Sequence, residues 1–383
     1  MLAEHDLEQI LNPDAAVASK QIIYLFGAGA THAEADFQGS HINLLMNTSK
    51  QFGPGVSKRV LNAIGATAEF SGVDQNVDIE KLVSLLTASG IAKHLERAAE
   101  MRAAYFTDIR DNLNETGVIA DPALAKGLLE MHKIEAFRDN ERLIGIVTTN
   151  HDGLLQVASQ EIFGGLDLGF SFSSDDFTDP TNENTPPILQ LHGSFAWRFD
   201  VPLRASRFTV ASEYDPDTIW IPPTILKEAK NYPFNKVTGL AYELLSKQCD
   251  VLRVIGASLT QNDWNILCLI FNAQRHKESI GETAFEIELI MPIAGCTDIG
   301  RDCPYLRRVF PIDQLREGHM DVFQDSELPP DSEPARNPFF YWLKEKINYH
   351  LNHNHFDEAS LGANMRRILG DNANGTNGRG LDH

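Results

Sequence analysis

The sequence is poor in cysteine, and its cysteines are not paired. Four occur in 383 residues, and none forms a C-x-x-C pair: Cys249, Cys268, Cys296 and Cys303. Structural zinc sites usually contain such close pairs, so we expect no zinc and no other metal centre. Disulfides are rare in reducing compartments, so we expect these thiols to remain free.

Positive charge and long apolar runs are also scarce. The chain has 33 lysines and arginines against 53 aspartates and glutamates, which gives a net charge of −20 and a pI near 5.0. Nucleic-acid binding needs clustered cations, so direct binding is not expected. No run of about 18 apolar residues and no signal-peptide core occurs, which predicts a cytoplasmic protein without membrane contact.

Apolar segments alternating with helical patterns organise the chain. Strands are predicted at 22–26, 143–149, 188–191, 251–255 and 285–291, with helices at 122–137, 153–160, 237–247, 264–275 and 339–351. Asp121 is the predicted N-cap of the first of these helices. This alternation favours an α/β fold with a doubly wound, mostly parallel, Rossmann-like sheet.

The same pattern suggests a division into domains. Residues 1–292 form the predicted main domain, with a helical lobe inserted at about 77–140. Residues 293–369 form a small C-terminal appendage for assembly or docking, and 370–383 a disordered tail. The amphipathic helix at 339–351 either packs on the body or docks a partner.

A glycine-rich turn follows the first predicted strand. Gly27 and Gly29 flank Ala28, a pattern that lets backbone N–H groups approach a pyrophosphate at a helix N-terminus. The third glycine of G-x-G-x-x-G would fall at position 32, where the residue is His32. The turn is therefore either a phosphate cradle or a tight turn without a ligand.

Polar residues follow the next strands in the same way. The polar triplet Asn150-His151-Asp152 comes after the second strand, where its residues can contact a ligand, cap the following helix, or do both. His192 ends the third strand beside Gly193, which predicts an accessible imidazole with either a structural or a functional role. Either Asn262 or Asp263 can cap the helix that begins at residue 264.

Four signatures stand in order at predicted strand ends: GAGAT at 27–31, TTNHD at 148–152, LHGS at 191–194 and IGASL at 255–259. Over about residues 20–292 the chain resembles the sirtuin superfamily, and more closely its bacterial sirtuin-like branch of anti-phage defence. Pro222-Pro223-Thr224 with Lys227, and Leu259 with Asp263, are similar to further motifs of that branch.

The resemblance implies an NAD pocket and assigns its residues. It places the phosphates on Gly27, Ala28, Gly29, Ala30 and Thr31, and the adenosine side on Gly256, Ser258 and Leu259. It assigns Asn150 to orienting the ribose or the attacking water, and Asp152 to the nicotinamide carboxamide or its loop. His192, with an ordinary pKa near 6.5, becomes the general base. Asp36, Gly193 and Asp263 complete the implied NAD-binding set.

Two departures affect the expected reaction. Protein deacylases of the superfamily carry G-I-P-D-F-R after the glycine turn, whereas only Asp36-Phe37 remains here, and the paired-cysteine zinc module is absent. The expectation is an NAD hydrolase that releases nicotinamide and ADP-ribose in anti-phage defence, as a homo-oligomer with a HerA-type ATPase. No P-loop occurs, so any triphosphatase activity belongs to that partner. The alternatives are a non-catalytic sensor of NAD or ADP-ribose, and a protein deacylase or ADP-ribosyltransferase.

Overall fold

The computed structural model describes residues 19–40, 79–134, 141–170, 185–197, 218–222, 224, 227, 229–257, 263–290, 337–353 and 358–370. The part of the predicted C-terminal appendage before residue 337 lies outside these ranges, as does the predicted tail after residue 370. Two predicted site residues, Ser258 and Leu259, also lie outside the described residues.

A five-stranded sheet forms the centre of the described chain. Its strands are β1 (Lys20–Phe26), β2 (Glu141–Thr148), β3 (Ile188–Gln190), β4 (Val251–Ile255) and β5 (Glu286–Ile290). Their order is β3-β2-β1-β4-β5, and every neighbouring pair is parallel. The chain steps outward on one side of β1 and then crosses to the other side, which is the order of a Rossmann-like sheet. The predicted α/β class and parallel sheet are therefore confirmed.

Nine α-helices occur in the described residues: α1 (Ala28–Phe37), α2 (Ile79–Ala88), α3 (Ala92–Thr116), α4 (Ala123–Lys133), α5 (Leu154–Phe163), α6 (Phe234–Lys247), α7 (Trp264–Ser279), α8 (Pro338–Asn352) and α9 (Ala363–Leu369). A short 3-10 helix, Glu358–Ser360, precedes α9. Within the described ranges, no helix combines the length and apolar character needed to cross a bilayer.

Two hydrophobic clusters cover the sheet, one on each face. Side chains alternate along β1, so Ile22, Tyr24 and Phe26 face one way while Ile23 and Leu25 face the other. The first cluster includes residues of α1, α3, α4, α5, α8 and α9, and the second includes residues of α6 and α7. The apolar runs of the strands are therefore buried on both sides, as parallel strands require.

The register brings the carboxyl ends of the strands to one edge. Phe26 lies beside Thr148 and Ile255, and Thr148 lies beside Gln190. The residues that follow β1, β2, β3 and β4 therefore meet at a common edge, where open α/β sheets place their ligand sites.

Helix α8 packs on the body of the protein, which resolves the alternative left open by its sequence. Trp342, Leu343 and Ile347 are buried, and the Trp342 ring meets the edge of Tyr24 in β1 at 6.4 Å. The side chain of Asn337 accepts from the Phe340 N–H at 3.0 Å and donates to the Ala33 carbonyl at 2.7 Å. The N-cap of α8 is thus tied directly to α1.

The prediction of Asp121 as N-cap of the helix after it was wrong. Helix α4 begins at Ala123, and the Asp121 carboxylate instead pairs with Lys126 at 2.9 Å and Arg367 at 2.8 Å. Glu34 of α1 takes the capping role, because its carboxylate accepts the backbone N–H groups of Leu124 and Ala125. Burial raises the pKa of Glu34 to about 7, while these hydrogen bonds act in the opposite direction.

Candidate functional site

The glycine turn after β1 packs tightly against the end of β4. The Gly27 N–H donates to the Ile255 carbonyl, and the Gly29 N–H to the Gly256 carbonyl, both at 2.9 Å. A Cβ added at Gly29 would lie 2.8 Å from the Gly256 Cα, and one at Gly256 would lie 2.2 Å from the Ala30 nitrogen. The glycines are thus required by the close approach of two backbones, and the Gly29 N–H already has a protein acceptor.

Asn150 links the end of β2 to this turn. Its side-chain amide donates to the Gly27 carbonyl at 3.0 Å and to the Thr31 hydroxyl at 3.1 Å. The backbone carbonyl of Asn150 accepts a hydrogen bond from the side-chain amide of Gln190, at the end of β3, at 3.1 Å. The predicted catalytic asparagine therefore lies where expected, and its amide braces the glycine turn.

Asp152 holds two helices together. The Thr31 hydroxyl donates to one carboxylate oxygen at 2.8 Å, and the Leu154 N–H donates to the other at 3.1 Å. The capping role predicted for this turn is therefore confirmed. Burial raises the pKa of Asp152, and the two hydrogen bonds work against that increase.

The prediction that His192 has an accessible ring was wrong. The residue is 4% exposed, because the segment around Trp220 lies over it: the Ile221 N–H donates to the His192 carbonyl at 2.7 Å, and Gly193 forms an antiparallel bridge with Trp220. Burial and then the positive charge of Lys227 lower its pKa well below the ordinary value. The imidazole is therefore uncharged at neutral pH, which makes it available to accept a proton but only weakly basic.

His151 is a neighbour to which the sequence prediction assigned no role of its own. The centroid of its ring lies 6.2 Å from that of His192. The ring stacks on Phe195 with the centroids 5.1 Å apart, and it meets Trp220 edge-on with the centroids 5.3 Å apart. Burial, followed by the charge of Lys227, lowers its pKa to about 4. Its place in the N-H-D triplet, directly after Asn150, was the signal that could have identified it.

A buried ion cluster lies beside the two histidines. Lys227 pairs with Glu80 of α2 at 3.3 Å and with Asp263 at 3.1 Å. Asp263 stands at the N-cap position of α7 but makes no side-chain capping hydrogen bond. Two residues further on, the side-chain nitrogen of Asn265 lies 3.5 Å from His192 Nε2, at the outer limit of a hydrogen bond.

Other predicted site residues fall in different surroundings. Asp36 is exposed in the last turn of α1, about 12 Å along the axis from the glycine turn, so the structure does not bring it to the strand ends. Gly193 has a φ of 75°, and an added Cβ would lie 2.4 Å from the Ile219 carbonyl oxygen. A structural role for this glycine is therefore sufficient to explain it.

The described residues contain no group of three or more His, Cys, Asp or Glu side chains arranged to hold a metal ion. The edge instead offers amides, uncharged imidazoles and one paired lysine, a set suited to hydrogen bonding and proton transfer. No protein-family model matches the chain, and no curated protein matches it. Function is therefore inferred from the geometry of the site.

Proposed function

We propose that the chain is a sirtuin-like NAD hydrolase that cleaves the bond between nicotinamide and ribose. One observation carries the proposal: Asn150, at the end of β2, hydrogen-bonds to the glycine turn after β1, and His192 follows the neighbouring strand β3. The glycine turn, an amide and an uncharged base thus share one edge. In fold terms we propose a doubly wound domain with an inserted helical lobe at about 77–140.

The proposed reaction does not require a strong general base. Fission of a glycosidic bond passes through an oxocarbenium-like state, after which water adds to the ribose carbon and loses one proton. A neutral His192 can accept that proton, and a weak base suffices because the attacking water is already acidified by bonding to the cation. Asn150 would orient the ribose or the water, and the turn at 27–31 would hold the phosphates.

A second candidate is a sensor that binds NAD or ADP-ribose without turnover. The burial of His192 favours it, as does the use of the Asn150 amide to brace the Gly27 carbonyl. Hydrolysis then requires that ligand binding draw the amide away from that carbonyl. The two candidates therefore differ in whether bound NAD is consumed.

Incubating the purified chain with NAD tests the proposal, with nicotinamide and ADP-ribose measured by chromatography. We expect His192→Ala and Asn150→Ala each to reduce the rate by roughly a hundredfold or more. His353→Ala, at an exposed position, is the matched control and should retain the wild-type rate. Full activity in both site variants would exclude the assigned roles. Bound but unconsumed NAD would support the sensor, and product that requires an acetylated peptide would support a deacylase.

The biological setting is also a proposal. We infer a role in anti-phage defence by NAD depletion, within a homo-oligomer that associates with a HerA-type ATPase. Repeating the incubation with and without such an ATPase, after measuring the mass of the complex in solution, tests this part separately. A chain that stays monomeric and does not bind the ATPase would contradict it, whatever its NAD activity.

A further inference from the structure

Lys227 is a buried cation that joins parts of the chain far apart in sequence. Its side chain is 7% exposed and pairs with Glu80, in the first turn of α2, and with Asp263, at the start of α7; those side chains are 13% and 24% exposed. Removing one partner of a buried ion pair leaves an uncompensated charge, so such pairs fix the elements that carry them. Lys227 therefore holds α2 and α7 in a defined relation.

The ion cluster acts on the two histidines in two ways, through a hydrogen-bonding contact and through its charge. Asn265 lies in the same helical turn as Asp263, and its amide faces His192 Nε2 at 3.5 Å, so anchoring Asp263 also anchors that amide. The charge of Lys227 also acts on both rings: after burial, it is the largest cause that lowers the pKa of His192 and of His151.

We propose that Lys227 is a positioning residue of the candidate site, which holds the first turn of α7 against His192 and joins the inserted helix α2 to it. The proposal deepens the function proposed above and rests on it for the identity of the site. The charged and titratable groups around His192 are then Lys227, its two carboxylate partners, and His151.

Removing a positive charge from this cluster and removing a negative one should shift the pKa values of the two histidines in opposite directions. Lys227→Met removes the cation that pairs with Glu80 and Asp263 and leaves more net negative charge, which favours imidazolium and raises the pKa values of both histidines by about one unit or more. Glu80→Gln removes one carboxylate and leaves more net positive charge, which lowers them. Lys227→Arg keeps the charge and should keep the wild-type values. General destabilisation cannot produce this pattern of signs.

The histidine pKa values are measured by NMR on protein labelled at the imidazole carbons, with signals assigned through His151→Gln and His192→Gln. In the wild type, neither signal should titrate between pH 5.5 and pH 8. In Lys227→Met, both should titrate at higher pH, and the low-pH limb of NAD cleavage should shift upward with them. Lys126→Met is the matched control. Lys126 is also buried and pairs with two carboxylates, Asp121 at 2.9 Å and Glu161 at 2.5 Å, but it lies in α4.

Unchanged histidine titration in folded Lys227→Met, or an equal shift in Lys126→Met, would overturn the proposal. If Lys227→Met fails to fold, Glu80→Gln decides: an unchanged or raised histidine pKa there would contradict the assigned role. The NMR titration does not depend on turnover. A wild-type chain that leaves NAD intact would therefore refute the proposed hydrolase while still allowing Lys227 to be tested.

Discussion

Two buried polar clusters lie at different places on the same sheet, and they are built differently. The face cluster lies between the sheet and α8 and consists of Tyr24, His132, Glu141, Arg253 and Glu288. Arg253, 2% exposed, donates to both Glu141 oxygens at 2.8 and 2.6 Å, and also to Glu288. Its guanidinium also lies 5.7 Å from the Trp342 ring centre.

The edge cluster lies at the carboxyl ends of the strands and consists of Asn150, His151, His192, Lys227 and Asn265. Its imidazoles are uncharged at neutral pH, and the Asn265 amide lies 3.5 Å from His192 Nε2. The buried Oδ1 of Asn265 has no hydrogen-bond partner within the part of the chain that the structure describes.

The difference indicates what each cluster is for. In the face cluster, opposite charges are joined by short, two-pronged hydrogen bonds and lie against Trp342, so we expect this cluster to attach α8 to the sheet. The edge cluster has hydrogen-bonding capacity left over, which costs folding free energy unless something else uses it. We expect stability to depend on the face cluster and activity on the edge cluster.

The largest stability effect should come from Arg253→Met. It leaves Glu141 and Glu288 without their shared cation, and breaking a buried pair from one side typically costs about 3–5 kcal/mol. Urea unfolding measures the loss. Arg275→Met is the control, because Arg275 is 67% exposed and pairs with Glu278, itself 39% exposed, so a change below about 0.5 kcal/mol is expected. A loss below about 1 kcal/mol in Arg253→Met would remove the contrast between the clusters.

Local sequence patterns were sufficient to predict the strands and the residues at their ends. Apolar runs bounded by small or polar residues located all five strands within two residues, because buried parallel strands must be apolar on both faces. The positions of Gly27, Asn150 and His192 at one edge followed from that assignment, since parallel strands end together.

Contacts between distant residues could not be predicted from the sequence. The Lys227–Glu80 pair joins positions 147 apart by number, and Arg253–Glu141 joins positions 112 apart. Arg253 did give a signal, because a charge within the apolar run VLRVI must find a buried partner. The burial of His192 had no such signal, since it arises from the segment around Trp220, which lies further along the chain and forms a bridge with the adjacent Gly193.

The next largest effect tests how tightly the edge is built. Gly256→Ala places a Cβ 2.2 Å from the Ala30 nitrogen at a φ of 62°, so the glycine turn must shift, and we expect a loss of about 3 kcal/mol in urea unfolding. Gly281→Ala is the matched control: its φ is 82°, but an added Cβ meets nothing within 4 Å, so backbone strain of about 1 kcal/mol is the whole cost. Equal losses of unfolding free energy in the two variants would mean that the glycine turn can shift to accommodate the added Cβ at no further cost.

The two clusters should also fail in different pH ranges. The folded-state pKa of His151, about 4, lies below its ordinary value of 6.5, so its stabilising contribution is present above pH 6.5 and lost as the pH falls towards 4. For Glu141, burial raises the pKa, but the Arg253 hydrogen bond and charge outweigh it and hold the pKa at about 2. Its contribution is therefore lost only below about pH 4.5.

His151→Gln separates these ranges. Between pH 7.5 and pH 5 the wild type should lose about 2 kcal/mol more unfolding free energy than the variant, since the variant lacks an imidazole that takes up a proton when the chain unfolds. The exposed His353→Gln should follow the wild type. Parallel pH curves for the wild type and His151→Gln would show that the edge cluster does not limit stability in mild acid.

The smallest effect concerns one hydroxyl of the face cluster. Tyr24 OH lies 2.9 Å from His132 Nε2 and accepts from Arg253 at 3.3 Å, and the residue is fully buried. Tyr24→Phe keeps the ring contacts and removes these hydrogen bonds, so we expect a loss of about 1 kcal/mol in urea unfolding. Tyr349→Phe, at a residue 47% exposed, should change almost nothing. Because burial without partners is what makes a polar group costly, a neutral Tyr24→Phe would mean that Arg253 is satisfied by its carboxylates alone, and the face cluster would reduce to one ion triad.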